Sequence, residues 1–147
     1  MGKFSATVSL NSPIQKVFDF LNDQRNFTDL NPHNFRDYRV VSSQSVGLGA
    51  RSDFTLKTGV FQEPARLEVI TSEAPNLLIH AGYLSDNPYR TTWKLRPVNS
   101  LQTELELTTE YEVSGPVVLL RGRIQAAFER IYKRLLTDIV QKLNTIS

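Results

Sequence analysis

The sequence predicts an α+β fold, a curved antiparallel sheet of six or seven strands wrapped around one long C-terminal helix. Three observations predict it. Between about 116 and 146, Leu120, Ile124, Ala127, Phe128, Ile131, Leu135 and Ile139 recur at steps of three and four, the spacing of an apolar helix stripe. A helix of ~30 residues is about 45 Å long and is not stable alone, so its stripe needs a surface to lie on. Most of the preceding chain alternates apolar with polar residues, as half-buried strands do. Only one short helical region, between Ser12 and Asn31, interrupts that alternation.

The 147 residues are 40% hydrophobic and 22% charged, which suits one domain spanning 1–147 with a substantial core. A formal net charge of +2 does not suggest a nucleic-acid partner, which calls for a concentrated basic patch. The absence of cysteine excludes disulfides, thiolate nucleophiles and thiolate metal sites. No apolar run reaches the ~20 residues of a membrane span, and no signal-peptide pattern is visible, so a cytoplasmic protein, monomeric or homodimeric, is expected.

Phe4, Ala6, Val8 and Leu10 share one face of a first strand. Ser12-Pro13 with Gln15 reads as a capping box opening a short helix, whose buried face holds Ile14, Val17, Phe18 and Leu21. A second short helix is expected from Asn22-Asp23, with Phe27 and Leu30 inward, ending at Asn31-Pro32. Strands are then expected at 38–42, at 50–58 after the flexible Val46-Gly47-Leu48-Gly49 turn, at 61–71, at 77–84, at 89–96 and at 101–113. Proline cannot donate to a ladder, which places Pro64 at an edge, a bulge or near a strand start. In the last strand Leu101 to Val113 alternate with Glu104, Glu106, Glu110 and Glu112. Opposite charges stabilise cross-strand pairs, so Arg90, Lys94 and Arg96 should share the outer face with those glutamates. Ser114-Gly115-Pro116 then reads as the start of the long helix.

Three motifs carry a family resemblance. The run from Asn11 to Asp23, Asn-Ser-Pro-Ile-Gln-Lys-Val-Phe-Asp-Phe-Leu-Asn-Asp, resembles the opening of START-like (SRPBCC) proteins. Gly47-Leu48-Gly49-Ala50-Arg51 resembles their glycine turn, and Leu95-Arg96-Pro97 the segment before their last hairpin. Taken in order, these motifs resemble the polyketide cyclase/dehydrase-like branch over nearly the whole chain. The resemblance implies a helix-grip fold, as in birch-pollen-allergen-like proteins. It also implies a deep apolar cavity between sheet and helix for a lipid, polyketide or aromatic molecule. Many relatives carry an aromatic residue near the end of the second short helix, where this chain has Leu30-Asn31-Pro32.

The residues independently suit such a pocket, which is apolar with a few placed polar groups. Phe54, Leu56, Trp93, Leu95, Leu105, Leu107, Tyr111, Ile124, Phe128 and Ile131 are candidate ligand-binding residues, with Thr103 and Thr109 as scattered polar contacts; each is equally a plain core residue. His80, in an apolar run, is a candidate ligand contact or acid/base, although strand parity alone does not say which way it faces. His33 sits in a turn-forming loop that could reach the pocket mouth. With two histidines and no ligand spacing, neither a metal nor a cofactor is expected. Arg51, Asp53, Glu63 and Arg66 form either a buried polar cluster or, more simply, outer-face cross-strand pairs. The leading expectation is a binding or transport protein for a small hydrophobic molecule. The alternatives are a cyclase/dehydrase-type enzyme using His80, Arg51 and Tyr111, and a protein- or RNA-interaction module.

Overall fold

In the computed structural model, which describes residues 2–59, 61–113 and 119–145, seven strands form one curved antiparallel sheet. They are β1 (Gly2–Leu10), β2 (Phe35–Val40), β3 (Arg51–Thr58), β4 (Phe61–Glu73), β5 (Leu77–Leu84), β6 (Asn87–Asn99) and β7 (Gln102–Tyr111). Their order is β1-β7-β6-β5-β4-β3-β2. From β2 onward each strand pairs with the next in sequence, whereas β1 pairs with the last. The chain between the two edge strands therefore has to cross the sheet, and α1 (Ile14–Asn22) with a 3-10 helix at Gln24–Phe27 makes that crossing.

The long helix α2 (Arg121–Thr145) buries Phe128, Ile131, Tyr132, Leu135, Leu136, Ile139 and Leu143. Tyr132 packs on Phe4 with ring centroids 5.2 Å apart. Tyr111 meets Phe128 edge-on at 4.5 Å. From the sheet, Leu56, Leu78, Trp93, Leu95, Leu105 and Leu107 are buried. Full burial contributes roughly 1.5–3 kcal/mol per large apolar side chain, which is what holds α2 in place. Near its start Gln125 ties α2 to the sheet: its amide nitrogen donates to the Lys3 carbonyl at 2.8 Å, and its oxygen accepts from Tyr111 Oη at 2.5 Å.

Several local expectations are met. Arg90, Lys94 and Arg96 pair in register with Glu110, Glu106 and Glu104, and Arg96 Nη2 lies 2.8 Å from Glu104. Gly47 and Gly49 adopt φ of 79° and 88°, the left-handed region where glycine carries no steric cost. Pro64 lies near the start of β4, and its carbonyl accepts from Ser85 N at 2.7 Å. Arg51 faces Glu68 and Asp53 faces Arg66 across β3 and β4, the cross-strand arrangement rather than a buried cluster.

Other details differ. The second short helix is only a single 3-10 segment, capped by Asp23, whose carboxylate accepts from Arg25 N at 3.1 Å. The capping box does not form: Pro13 holds the cap position of α1, with no side-chain cap. Ser12 is drawn inward instead, and its carbonyl accepts from Thr103 Oγ1 at 2.8 Å. β2 begins at Phe35 rather than Tyr38, with an irregularity between Arg36 and Arg39 where Asp37 takes φ 54°. β6 runs through Pro88, which pairs with Tyr83. The helical start expected at Ser114-Gly115-Pro116 lies outside the described residues.

Candidate functional site

The side chains that meet beneath the middle of α2 come from every layer of the fold. β5 alternates so that Leu78 and His80 face inward and are buried, with Val69 and Thr91 beside His80 on the neighbouring strands. β6 brings Tyr89, Thr91 and Trp93 to the same face, β3 brings Phe54, β2 brings Phe35 and Tyr38, the 3-10 region Phe27 and Leu30, and α2 Tyr132 and Leu135. Together with Leu67 they enclose a cavity of about 30 Å³.

That volume corrects the expectation of a deep, elongated pocket, since sites for drug-sized ligands are commonly about 300–1,000 Å³. Aromatic rings fill the space. Phe35 packs on Phe54 and Tyr132 with centroids 5.5 and 5.6 Å apart. Tyr38 stacks on Phe54 at 5.2 Å and on Phe27 at 5.9 Å. A larger hollow of about 440 Å³, walled by Pro64, Ala65, Arg66, Tyr83, Ser85 and Asp86, opens among mostly exposed residues.

One wall of the cavity is a buried polar network. The Trp93 indole N–H donates to His80 Nδ1 at 3.4 Å. His80 Nε2 lies 3.2 Å from the Gln24 side-chain amide nitrogen. The Gln24 oxygen accepts from Tyr38 Oη at 2.6 Å and from Ser52 Oγ at 3.1 Å. Phe27 covers the imidazole edge-on at 5.7 Å. Burial pushes the His80 pKa down to about 3, because a charged imidazolium has nothing to solvate it there. His80 is therefore neutral at ordinary pH and is not poised as an acid/base.

Opposite, Thr91 and Thr109 hydroxyls lie 3.1 Å apart and bond the Tyr132 hydroxyl, whose pKa burial raises to about 12. Tyr38 and Tyr89 are likewise raised by burial, so all three phenols keep their protons. The Tyr89 hydroxyl is buried and meets no partner among the described residues.

Of the residues expected at a ligand site, Phe54, His80 and Trp93 line the cavity. Leu56, Leu95, Leu105, Leu107, Tyr111, Phe128 and Ile131 are buried in the surrounding core, and Ile124 is half-buried near the start of α2; none borders the cavity. Facing inward is a weaker condition than bordering a void, because close packing fills most of an interior. Thr109 is bonded to Thr91 and Tyr132, and Thr103 bonds the Ser12 carbonyl. His33 is exposed, away from the cavity lining. Arg51 is exposed and Tyr111 is bonded to Gln125, so His80, Arg51 and Tyr111 do not converge. Sequence reasoning missed Tyr38, Tyr89 and Tyr132. Tyr132 was within reach of it, lying four residues beyond Phe128 on the helix stripe.

Among the described residues no helix is long and apolar enough to cross a membrane, and no group of His, Asp or Glu could hold a metal ion. A family model described as polyketide cyclase / dehydrase and lipid transport matches residues 1–144. No curated protein matches the sequence. Among solved structures, a protein of Thermus thermophilus superposes with a TM-score of 0.80 at 19% identity, covering 99% of both chains. A START superfamily protein of Mycobacterium smegmatis gives 0.76 at 11%, again over 99% of both. An aromatase/cyclase of a Streptomyces species gives 0.76 at 14%, covering 97% of this chain and 93% of its own. At these identities the likeness establishes the helix-grip fold.

Proposed function

The chain belongs to the polyketide cyclase/dehydrase and lipid transport family, and on that premise we propose that it binds a small, largely apolar molecule between the sheet and α2, without catalysing a reaction itself. The observation that carries this reading is the enclosed cavity, bounded by Phe27, Phe35, Phe54, Trp93 and Tyr132 and by no charged side chain. Such a lining favours apolar contents and excludes an uncompensated charge. A space of about 30 Å³ admits no more than a water or two, so binding requires the wall to yield. The loop carrying Leu30 is held to α2 by two hydrogen bonds through Asn31, so opening the wall there means breaking them.

Among the described residues no acid/base set converges on the cavity, which favours binding over turnover. Native mass spectrometry of gently purified protein, followed by an NMR titration with lipids and aromatic compounds, tests the reading. A retained small molecule, or saturable shifts at Phe27, Leu30 and Phe54, is the expected result. A bare chain mass together with a panel that shifts nothing overturns it.

A further inference from the structure

When the buried hydrogen bonds around the cavity are assigned, two hydroxyl protons are left over, and they define what can bind there; the inference rests on the binding reading above. Trp93 offers only a donor, so His80 Nδ1, 3.4 Å from it, accepts. The neutral imidazole then carries its single proton on Nε2. An Nε2–H facing the Gln24 NH2 group across 3.2 Å sets donor against donor. A half-turn of the Gln24 amide removes the conflict, because its oxygen and nitrogen ends are nearly isosteric. Gln24 Oε1 then accepts from His80, and its NH2 donates to the Tyr38 and Ser52 hydroxyl oxygens at the other end of the amide.

This releases both the Ser52 and the Tyr38 protons from Gln24. Ser52, fully buried and away from the cavity lining, gives its proton to the Tyr38 oxygen, and the Tyr38 proton is left to turn to the cavity that Tyr38 lines. The second spare proton belongs to Tyr89, which is 5% exposed, borders the same cavity and has no hydroxyl partner among the described residues. Thr91 and Thr109 are committed to each other and to Tyr132. Cavity lining residues carry no charge, so a carboxylate or an ammonium would be buried without compensation. A hydrocarbon would leave the buried Tyr89 hydroxyl unsatisfied.

We propose that Tyr89, with Tyr38, fixes what the site takes: a neutral, largely apolar molecule whose acceptor oxygen, of ketone, quinone or ester chemistry, accepts hydrogen bonds from the Tyr89 and Tyr38 hydroxyls. Tyr89 and Tyr38 stand among mostly apolar and aromatic lining residues, so a bond to either hydroxyl orients the molecule as well as holds it.

Two matched pairs test this by NMR titration, 1-tetralone against tetralin and 2-nonanone against nonane, with protonated 1-aminotetralin as the charged counterpart. The wild-type protein should prefer the ketone of a pair by about fivefold, the scale of one net hydrogen bond, and should not take up the amine. Tyr89→Phe should lose most of that preference, keep its affinity for the hydrocarbon, and melt at or above the wild-type temperature. Tyr38→Phe should also reduce the preference, and it decides the matter should Tyr89→Phe fold poorly. Equal binding of ketone and hydrocarbon, or a preference unchanged in both variants, overturns the inference and leaves the binding reading standing. Failure of every probe to bind the wild type overturns both.

Discussion

Asp138 Oδ2 accepts the backbone N–H of Asn31 at 2.7 Å, joining α2 to a loop 107 residues earlier in the chain. Asn31 Nδ2 adds a second tie, donating to the Ile131 carbonyl at 3.1 Å. Asn31 takes φ 43°, a left-handed conformation that asparagine tolerates better than most residues. The neighbouring Leu30 forms part of the cavity wall, so these two bonds fix the wall against the helix. Replacing Asp138 by alanine leaves a backbone donor without its charged acceptor. It should cost about 1–3 kcal/mol, read as a lower urea midpoint with faster hydrogen exchange at amide 31. Unchanged exchange there would show that the tie does not hold the loop.

Gly82 is required by a close approach. A Cβ built on it would lie 1.8 Å from the Arg66 carbonyl oxygen, and backbone on β4 cannot step aside as a flexible side chain could. Gly82→Ala should therefore destabilise by about 3 kcal/mol, the upper range for overpacking, measured by chemical denaturation. A variant as stable as the wild type would mean that β4 and β5 separate freely at this point.

Acid should weaken the fold through His80. Its folded pKa is lowered to about 3 from an ordinary 6.5, so between those values the unfolded chain binds a proton that the folded chain does not. Stability then rises with pH across this window and falls on acidification, by up to about 1.4 kcal/mol per pH unit. Above pH 6.5 the group contributes no slope. Asp23, held below its usual 3.8 by hydrogen bonds from Arg25, stabilises above that value and loses its contribution only at lower pH. Urea midpoints at about pH 7, 6 and 5, with His80 imidazole nitrogen shifts that stay neutral throughout, would verify this. A His80 signal titrating near its ordinary value would refute it.

The β6–β7 charge ladder should set register more than stability. Arg96 and Glu104 lie 2.8 Å apart with 67% and 36% of their side chains exposed, and such exposed pairs couple by about 0–1 kcal/mol. Arg96→Glu alone should be mildly destabilising, and Glu104→Arg added to it should restore most of the loss. A double-mutant cycle with coupling above ~2 kcal/mol would indicate a larger role.

The fold was legible because its signals are local and repeated. Alternation from Gln102 to Tyr111 specifies β7 and its partner face, and the apolar steps from Phe128 to Leu143 specify α2. The candidate site was less so. Trp93 was among the inward candidates, but the side His80 takes needed the register that sets it opposite Val69 and Thr91. Tyr89 was hidden because the Ser85–Pro88 segment reads as a longer turn than forms, which puts the strand start at Tyr89 itself. Tyr38 was obscured by the irregularity between Arg36 and Arg39, which breaks the alternation. Which inward residues border a void depends on how rings of different strands meet, as Phe35, Phe54 and Tyr132 do here, and no local periodicity encodes that.

The single side-chain amide of Gln24 is hydrogen-bonded to Tyr38 and Ser52 at one end and to His80 at the other. These four residues therefore form one energetic unit drawn from four separate parts of the chain. Effects of substituting them should be epistatic, because groups sharing a network do not add: after the first replacement has broken the proton arrangement, a second should do little further harm. Altering the specificity of this interior would then mean changing the set together, with Gln24 as the position through which each alteration is felt by the others.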